Sequence, residues 1–141
     1  MIILDTNVVS ELRKIRSGRA EPAVARWASA QSASDLYVSV ITIQELEIGV
    51  LRAERRDASR GDLLRTWMVQ HVLPAFAGRI LPVDAAVAIR AASLHVPDPK
   101  SSNDAFIAAT ALVHRMALAT RNVADFEGLG VDLVNPWLQP D

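Results

Sequence analysis

Ile2-Ile3-Leu4-Asp5-Thr6-Asn7 decides the fold. Three apolar residues, two of them β-branched, make a short buried strand, and the polar triplet stops it with side chains that cap helices. A strand that passes straight into a helix cap is the first half of a β–α unit, and the same unit recurs along the chain. Leu36-Tyr37-Val38-Ser39 predicts a second strand, with Thr42 opening a helix through Leu51 and the polar stretch Glu54 to Asp62 interrupting it. Leu63, Leu64, Trp67, Met68 and Val72 at helical spacing predict an amphipathic helix ending near Pro74. Ile80 to Val83, Ala117 to Thr120 and Val131 to Val134 read as three more strands. Helices are expected after Pro22, over residues 84 to 95, and from about Asp104 to His114, the last apolar nearly all round and therefore buried. Short apolar strands alternating with helices require crossovers and hence parallel pairing. The expected fold is α/β, a parallel sheet of about five strands flanked by helices on both faces.

With 141 residues the chain has the length of one domain, taken here as 1–141. Lys+Arg number 15 and Asp+Glu 16, so the net charge is -1, and half of the residues are hydrophobic. This is a globular composition, and it excludes nucleic-acid binding by bulk charge. The near-neutrality conceals an asymmetry: residues 1–79 hold 11 basic and 9 acidic residues, residues 80–141 hold 4 and 7. Without cysteine there is no disulfide, thiolate metal site or cysteine nucleophile, which suits a reducing compartment. The start has no basic region ahead of its apolar run, and no apolar run approaches the roughly 18 residues of a membrane span. A cytoplasmic protein with no membrane contact is expected.

Ligands of such sheets bind beyond the carboxyl ends of the strands. Asp5, Glu45 and Asp104 all fall where a strand has just ended or a helix is starting, and Thr120-Arg121-Asn122-Val123-Ala124-Asp125 follows the fourth strand. Each acid has a plain structural explanation. Thr42-x-x-Glu45 and Ser101-x-x-Asp104 fit the capping box, and Asn122-x-x-Asp125 is a looser cap. Capping accounts for the acids singly, but it does not require them to converge. If they do converge, their repulsion calls for a cation, and an oxygen-only donor set selects magnesium or manganese over zinc. His71, His95 and His114 stand isolated and read as surface or packing residues. Periodicity alone does not choose Glu45: at 100° per residue the arc of Ile43, Leu46, Val50 and Leu51 includes Glu47 and leaves Glu45 opposite.

Four strings in order, Ile3-Leu4-Asp5-Thr6-Asn7, Ser39-x-Ile41-Thr42-x-x-Glu45-Leu46-x-x-Gly49, Asp104-Ala105-Phe106-Ile107-Ala108-Ala109-Thr110-Ala111 and Thr120-Arg121-Asn122-x-x-Asp125-Phe126, resemble the PIN-domain endoribonucleases. The likeness is to the VapC-type and FitB-like toxins of bacterial toxin-antitoxin pairs. Ala77-Gly78-Arg79-Ile80-Leu81-Pro82 and Asn135-Pro136-Trp137 look FitB-like in particular. The resemblance implies a PIN-like fold and an acidic pocket for Mg²⁺ or Mn²⁺. By it Asp5, Glu45 and Asp104 bind the metal, Thr6, Asn7 and Thr120 shape the pocket, and Asn122 and Asp125 have auxiliary catalytic roles, since many relatives carry Asp where this chain has Asn122. It further implies hydrolysis of RNA to 5′-phosphate and 3′-hydroxyl ends, a homodimer, and a small VapB-like or FitA-like antitoxin, often within a DNA-bound complex.

RNA has to be held by cations, and arginine supplies 13 of the 15 basic residues. Arg13, Lys14, Arg16 and Arg19 form the better candidate group for phosphates; Arg52, Arg55, Arg56 and Arg60 are interleaved with acids and read equally well as a solvated helix face. Leu63, Leu64, Trp67 and Met68 offer a candidate partner face that core packing explains at least as well. Two other readings stand beside the nuclease. One is a PIN-type binding module without catalysis, acting through an antitoxin and DNA; against it, a binding domain has no need to gather three acids. The other is phosphoryl transfer through Asp5, for which the D-x-D pattern fails at Asn7 and no glycine-rich phosphate loop is present.

Overall fold

Ile2–Leu4 forms β1, the central strand of a five-stranded, all-parallel sheet of order β3-β2-β1-β4-β5. The computed structural model describes residues 1–140. β2 is Leu36–Ser39, β3 Ile80–Leu81, β4 Ala117–Ala119 and β5 Leu133–Val134. β1 pairs with β2 through Ile2 and Leu36 and with β4 through Leu4 and Ala119. β2 and β4 lie on opposite sides of β1, so the strand order reverses there, and a crevice opens between the ends of β1 and β4.

Side chains alternate across the pleat and divide the core into two layers. Ile3 and Leu118 face α6 (Ala85–Leu94) and α7 (Ser102–His114), together with Val87, Ile107 and Phe126. Leu4 and Ala119 face the other way, with Val8, Trp27, Val38, Leu46, Val50, Met68 and Val72. That second layer is built by α1 (Thr6–Leu12), α2 (Pro22–Ser29), α3 (Val40–Arg56), α4 (Ala58–Trp67) and α5 (Leu73–Ala75). As expected, α7 is buried along most of its length, Ala105 and Ile107 through Ala111 being inaccessible.

Several boundaries differ from the sequence reading. α3 begins at Val40, not at Thr42, because the Ser39 hydroxyl accepts from Ile41 N (3.0 Å) and supplies the cap. Thr42 is thereby freed to point inward and is fully buried. The helix then runs to Arg56 rather than Leu51. The polar stretch is broken only at Asp57, whose carboxylate caps α4 through Ser59 N and Arg60 N. The amphipathic helix is not continuous: a π turn, Met68–Val72, separates α4 from α5. Its apolar residues also divide, Met68 and Val72 entering the core while Leu63 is 71% exposed. Ahead of β3, the Arg79 guanidinium donates to the carbonyls of Ala33, Leu36 and Ala75 and pins the strand's entry. No helix among the described residues is long and apolar enough to cross a membrane.

The α3–α4 hairpin closes on Gly61. A Cβ there would stand 2.5 Å from Glu54 Cα and 2.8 Å from Glu54 N, closer than backbone atoms tolerate. Helix propensity favours alanine over glycine by about 1 kcal/mol, but forcing the hairpin apart costs about 1–3 kcal/mol. Gly61→Ala is therefore expected to destabilise the protein in a urea titration; a stabilised variant would show that the two helices are not in such close approach.

Candidate active site

Asp5 ends β1 at the switch point. Its backbone N–H still belongs to the sheet, donating to Ala119 O at 2.9 Å, while its side chain is 6% exposed. Three neighbours donate to the carboxylate: Thr6 N to Oδ1 (2.8 Å), and Thr120 Oγ1 (2.8 Å) and Asn7 Nδ2 (3.2 Å) to Oδ2. Thr120 is fully buried at the end of β4 and in turn accepts from Asn122 N (3.0 Å), and the Asn7 amide oxygen accepts from Arg121 N (3.2 Å). The ends of β1 and β4 are thus stitched together around one carboxylate. Burial pushes the Asp5 carboxyl above the usual range, the donors from Thr120, Thr6 and Asn7 oppose the rise, and the Glu45 charge adds to it.

Glu45 reaches the same edge from the second turn of α3. Its Oε1 accepts from the Thr6 hydroxyl at 2.6 Å and its Oε2 from Asn103 Nδ2 at 3.3 Å. The Thr6 hydroxyl also lies 3.1 Å from that of Thr42. Glu47, on the opposite side of α3, forms paired bonds of 2.5 and 2.7 Å to Arg65 of α4, which also binds Glu54. The arc that looked apolar from the sequence packs into the core through Leu46 and Val50, with Glu47 turned to α4, and Glu45 is left for the sheet edge.

Asp104 enters on the first turn of α7, where Ser101 caps the helix by accepting from Asp104 N (3.5 Å). The Asp104 carboxyl is pushed up to about 6 by burial first, then by the charges of Asp5, Asp125 and Glu45. Asp5 at the end of β1, Glu45 of α3 and Asp125 of the short turn Val123–Asp125 thus all act on Asp104 of α7. Asn122 is exposed, and the bond it supplies here is the backbone donation to Thr120. The fourth acid of the set, whose charge also acts on Asp104, is Asp125.

The donor set is all oxygen and carries uncompensated negative charge, which fits a hard divalent cation. Among the described residues no three acidic or histidine side chains stand close enough to enclose an ion. A magnesium ion there would keep several of its waters and take only one or two carboxylates directly. The histidines lie outside this arrangement: His95 Nδ1 accepts from Lys100 N (3.0 Å), and His71 lines the wall of a cavity elsewhere.

The structure does not bring the early basic group to the acids. Arg13 and Arg16 lie past the far end of α1, on the rim of an apolar cavity of about 350 Å³ walled by Leu12, Leu36, Trp67 and Phe76. The Arg13 guanidinium sits 5.9 Å from the centroid of the Trp67 ring, Lys14 pairs with Glu11 at 3.2 Å, and Arg19 Nε donates to Ser17. Burial depresses the Arg13 pKa, and the charges of Arg60 and Arg19 depress it further, so the two basic stretches of the sequence meet here. Arg121 meets the acidic edge through its backbone N–H, which donates to Asn7, while its guanidinium lies 5.2 Å from the Trp137 ring centroid.

The PIN-domain family profile matches residues 2–129. The chain belongs to the PIN-domain family. Among its PIN-domain relatives it is 40% identical to VapC ribonuclease Y4jK of Sinorhizobium fredii, over 97% of this chain and 98% of that protein. It is 39% identical to toxin FitB of Neisseria gonorrhoeae, over 97% and 99%. The crystal structure of FitAcB from N. gonorrhoeae superposes with a TM-score of 0.88 at 35% identity, covering 99% of this chain and 100% of that one, and the structure of FitAB bound to an IR36 DNA fragment matches equally well. The PIN-like fold expected from the sequence is thereby established, with its five parallel strands and helices on both faces.

Proposed function

We propose that this single PIN domain is the toxin of a type II toxin-antitoxin pair, a Mg²⁺- or Mn²⁺-dependent endoribonuclease of the cytoplasm. The observation that carries this reading is the meeting of Asp5, Glu45 and Asp104 at one edge of the sheet, where Thr6 donates to both Asp5 and Glu45, and Asn103, next to Asp104, donates to Glu45. A fold can cap helices without gathering its acids; a phosphodiesterase that works through a hard cation needs them together. The names of the relatives, a VapC ribonuclease and toxin FitB, support the same conclusion.

In this reading Asp5, Glu45 and Asp104 would supply the carboxylates that hold the ion, directly or through its waters. When bound, it lowers the pKa of a water and offsets charge on the phosphate, which supplies hydrolysis without a nucleophilic side chain. The chain's own residues do the rest. Thr120, Thr6 and Asn7 hold Asp5 so that it does not rotate out of the crevice, Asp125 supplies the fourth negative charge, and Asn122 locks Thr120 through its backbone N–H. Arg13, Lys14, Arg16 and Arg19 lie beyond α1, whose seven residues span about 10 Å, so they contact phosphates away from the bond that is cut. Solved relatives are FitAB and VapBC assemblies, some bound to DNA, which supports a FitA-like or VapB-like antitoxin as partner and a joint DNA-bound complex; a homodimer belongs to the same reading.

Expression of the chain without a partner is expected to arrest growth, and Asp5→Ala to relieve the arrest at equal protein level. Sequencing of 5′-phosphate RNA ends after induction identifies the cleavage sites. Toxicity indifferent to Asp5→Ala would instead favour a PIN-type binding module.

A further inference from the structure

Asn103 has no part in capping α7, since the Ser101 hydroxyl serves as the cap. Asparagine is also a poor residue for a helix interior, where alanine would be preferred. Yet Asn103 sits half-buried in the first turn, and its amide reaches across to another helix to donate to Glu45 Oε2 at 3.3 Å. The other oxygen of the same carboxylate is taken by Thr6 of α1 at 2.6 Å. Glu45 is thus gripped from two sides by elements that are remote in sequence.

The grip has a physical purpose. Glu45 has the longest side chain of the four acids, it projects from a helix whose neighbouring Gln44 and Ile48 are exposed, and it is repelled by Asp5 and Asp104. Left alone, a flexible carboxylate in that position relaxes into water. A neutral donor next to Asp104 counters this without adding charge, and because Asn103 and Asp104 are adjacent on one helical turn, the same amide ties the spacing of two acids borne by different helices. Each carboxylate oxygen has two lone pairs, so accepting one hydrogen bond leaves it able to bind a cation.

We propose that Asn103 is a positioning residue for Glu45, holding its carboxylate at the edge it shares with Asp5 and Asp104, where a divalent cation would bind. The proposal rests on the reading of those acids as a cation site. It is tested by titrating the purified, RNA-free protein with Mn²⁺ and following free Mn²⁺ by electron paramagnetic resonance. Loss of a group that orients a metal ligand weakens metal affinity by about 10–100-fold. Asn103→Ala is expected to show a shift of that size, with unchanged circular dichroism and with RNA cleavage restored by raising Mn²⁺. In a double-mutant cycle with Glu45→Gln the second change should add nothing, because the two act through one carboxylate. If Asp5→Asn weakens Mn²⁺ binding and Asn103→Ala does not, or if the two effects in the cycle simply add, Asn103 has no positioning role while the cation site stands. If neither Asp5→Asn nor Asn103→Ala changes Mn²⁺ binding, the cation site itself is overturned, and the role of Asn103 with it.

Discussion

Purified Asp104→Asn is expected to fold as the parent protein does and to lose divalent-dependent RNA cleavage by at least about 10²–10³-fold, the usual scale for removing one electrostatic contact from a transition state. The substitution keeps the shape of the side chain and leaves the Ser101 cap in place. What it removes is the charge that faces Asp5, Asp125 and Glu45. The same variant carries a stability signature with a definite sign. The Asp104 carboxyl titrates at about 6 in the folded chain against an ordinary 3.8, so ionising it opposes folding. That cost is fully present at pH 7, shrinks as the pH falls through 6, and is gone only below the ordinary value of 3.8, where the group is protonated in both states. Without divalent ions, Asp104→Asn should therefore melt above the parent at pH 7 and together with it at about pH 3. Glu11 and Glu47, whose carboxyls are lowered by the Glu21 N–H with Lys14 and by Arg65, lose stability on acidification in both proteins and cancel from the comparison. Added Mn²⁺ should raise the melting temperature of the parent at pH 7 and leave the variant behind. Undiminished cleavage by purified Asp104→Asn would sink the assignment.

Phe126→Ala should be the most damaging single change to the fold. Phe126 is 1% exposed, packs in the α6–α7 layer with Ile3, Ile107 and Leu118, and closes the turn that presents Asp125 by donating from its backbone to Val123 O at 3.0 Å. Emptying such a site costs about 3–5 kcal/mol, roughly a fifth or more of the 5–15 kcal/mol that holds a domain together. Thermal melts followed by circular dichroism should show a drop on the order of 10 °C. A shift of only a degree or two would mean that the layer collapses into the space.

The strands and the buried α7 were legible because their signals are local: β-branched runs, a polar stop, an apolar helix behind a serine. Asp5 and Asp104 followed from the same logic, since both occupy a junction that the chain itself announces. Glu45 did not. Its selection over Glu47 depends on which neighbour α3 acquires, and the Arg65 that claims Glu47 lies 18 residues further on. Thr42 resembled a cap until Ser39 was seen to hold that place, which turned Thr42 inward toward Thr6. Asn103 escaped notice altogether because its partner is 58 residues away and its own position in a helix announces nothing. The clustering of the arginines in sequence said that they were near one another, but not that α1 would set them apart from the acids.

The division of the core into two layers has a consequence for the order in which the molecule is made. Glu45 belongs to the early layer, whereas Asp104, Thr120 and Asp125 belong to segments translated last, and Asp5 is held by a threonine 115 residues downstream. A nascent chain that has already folded α1 to α5 possesses two of the four acids and nothing to close the crevice. The acidic group comes into being only when α7 and β4 leave the ribosome and dock, so an unfinished copy cannot assemble the site while it is still being synthesised.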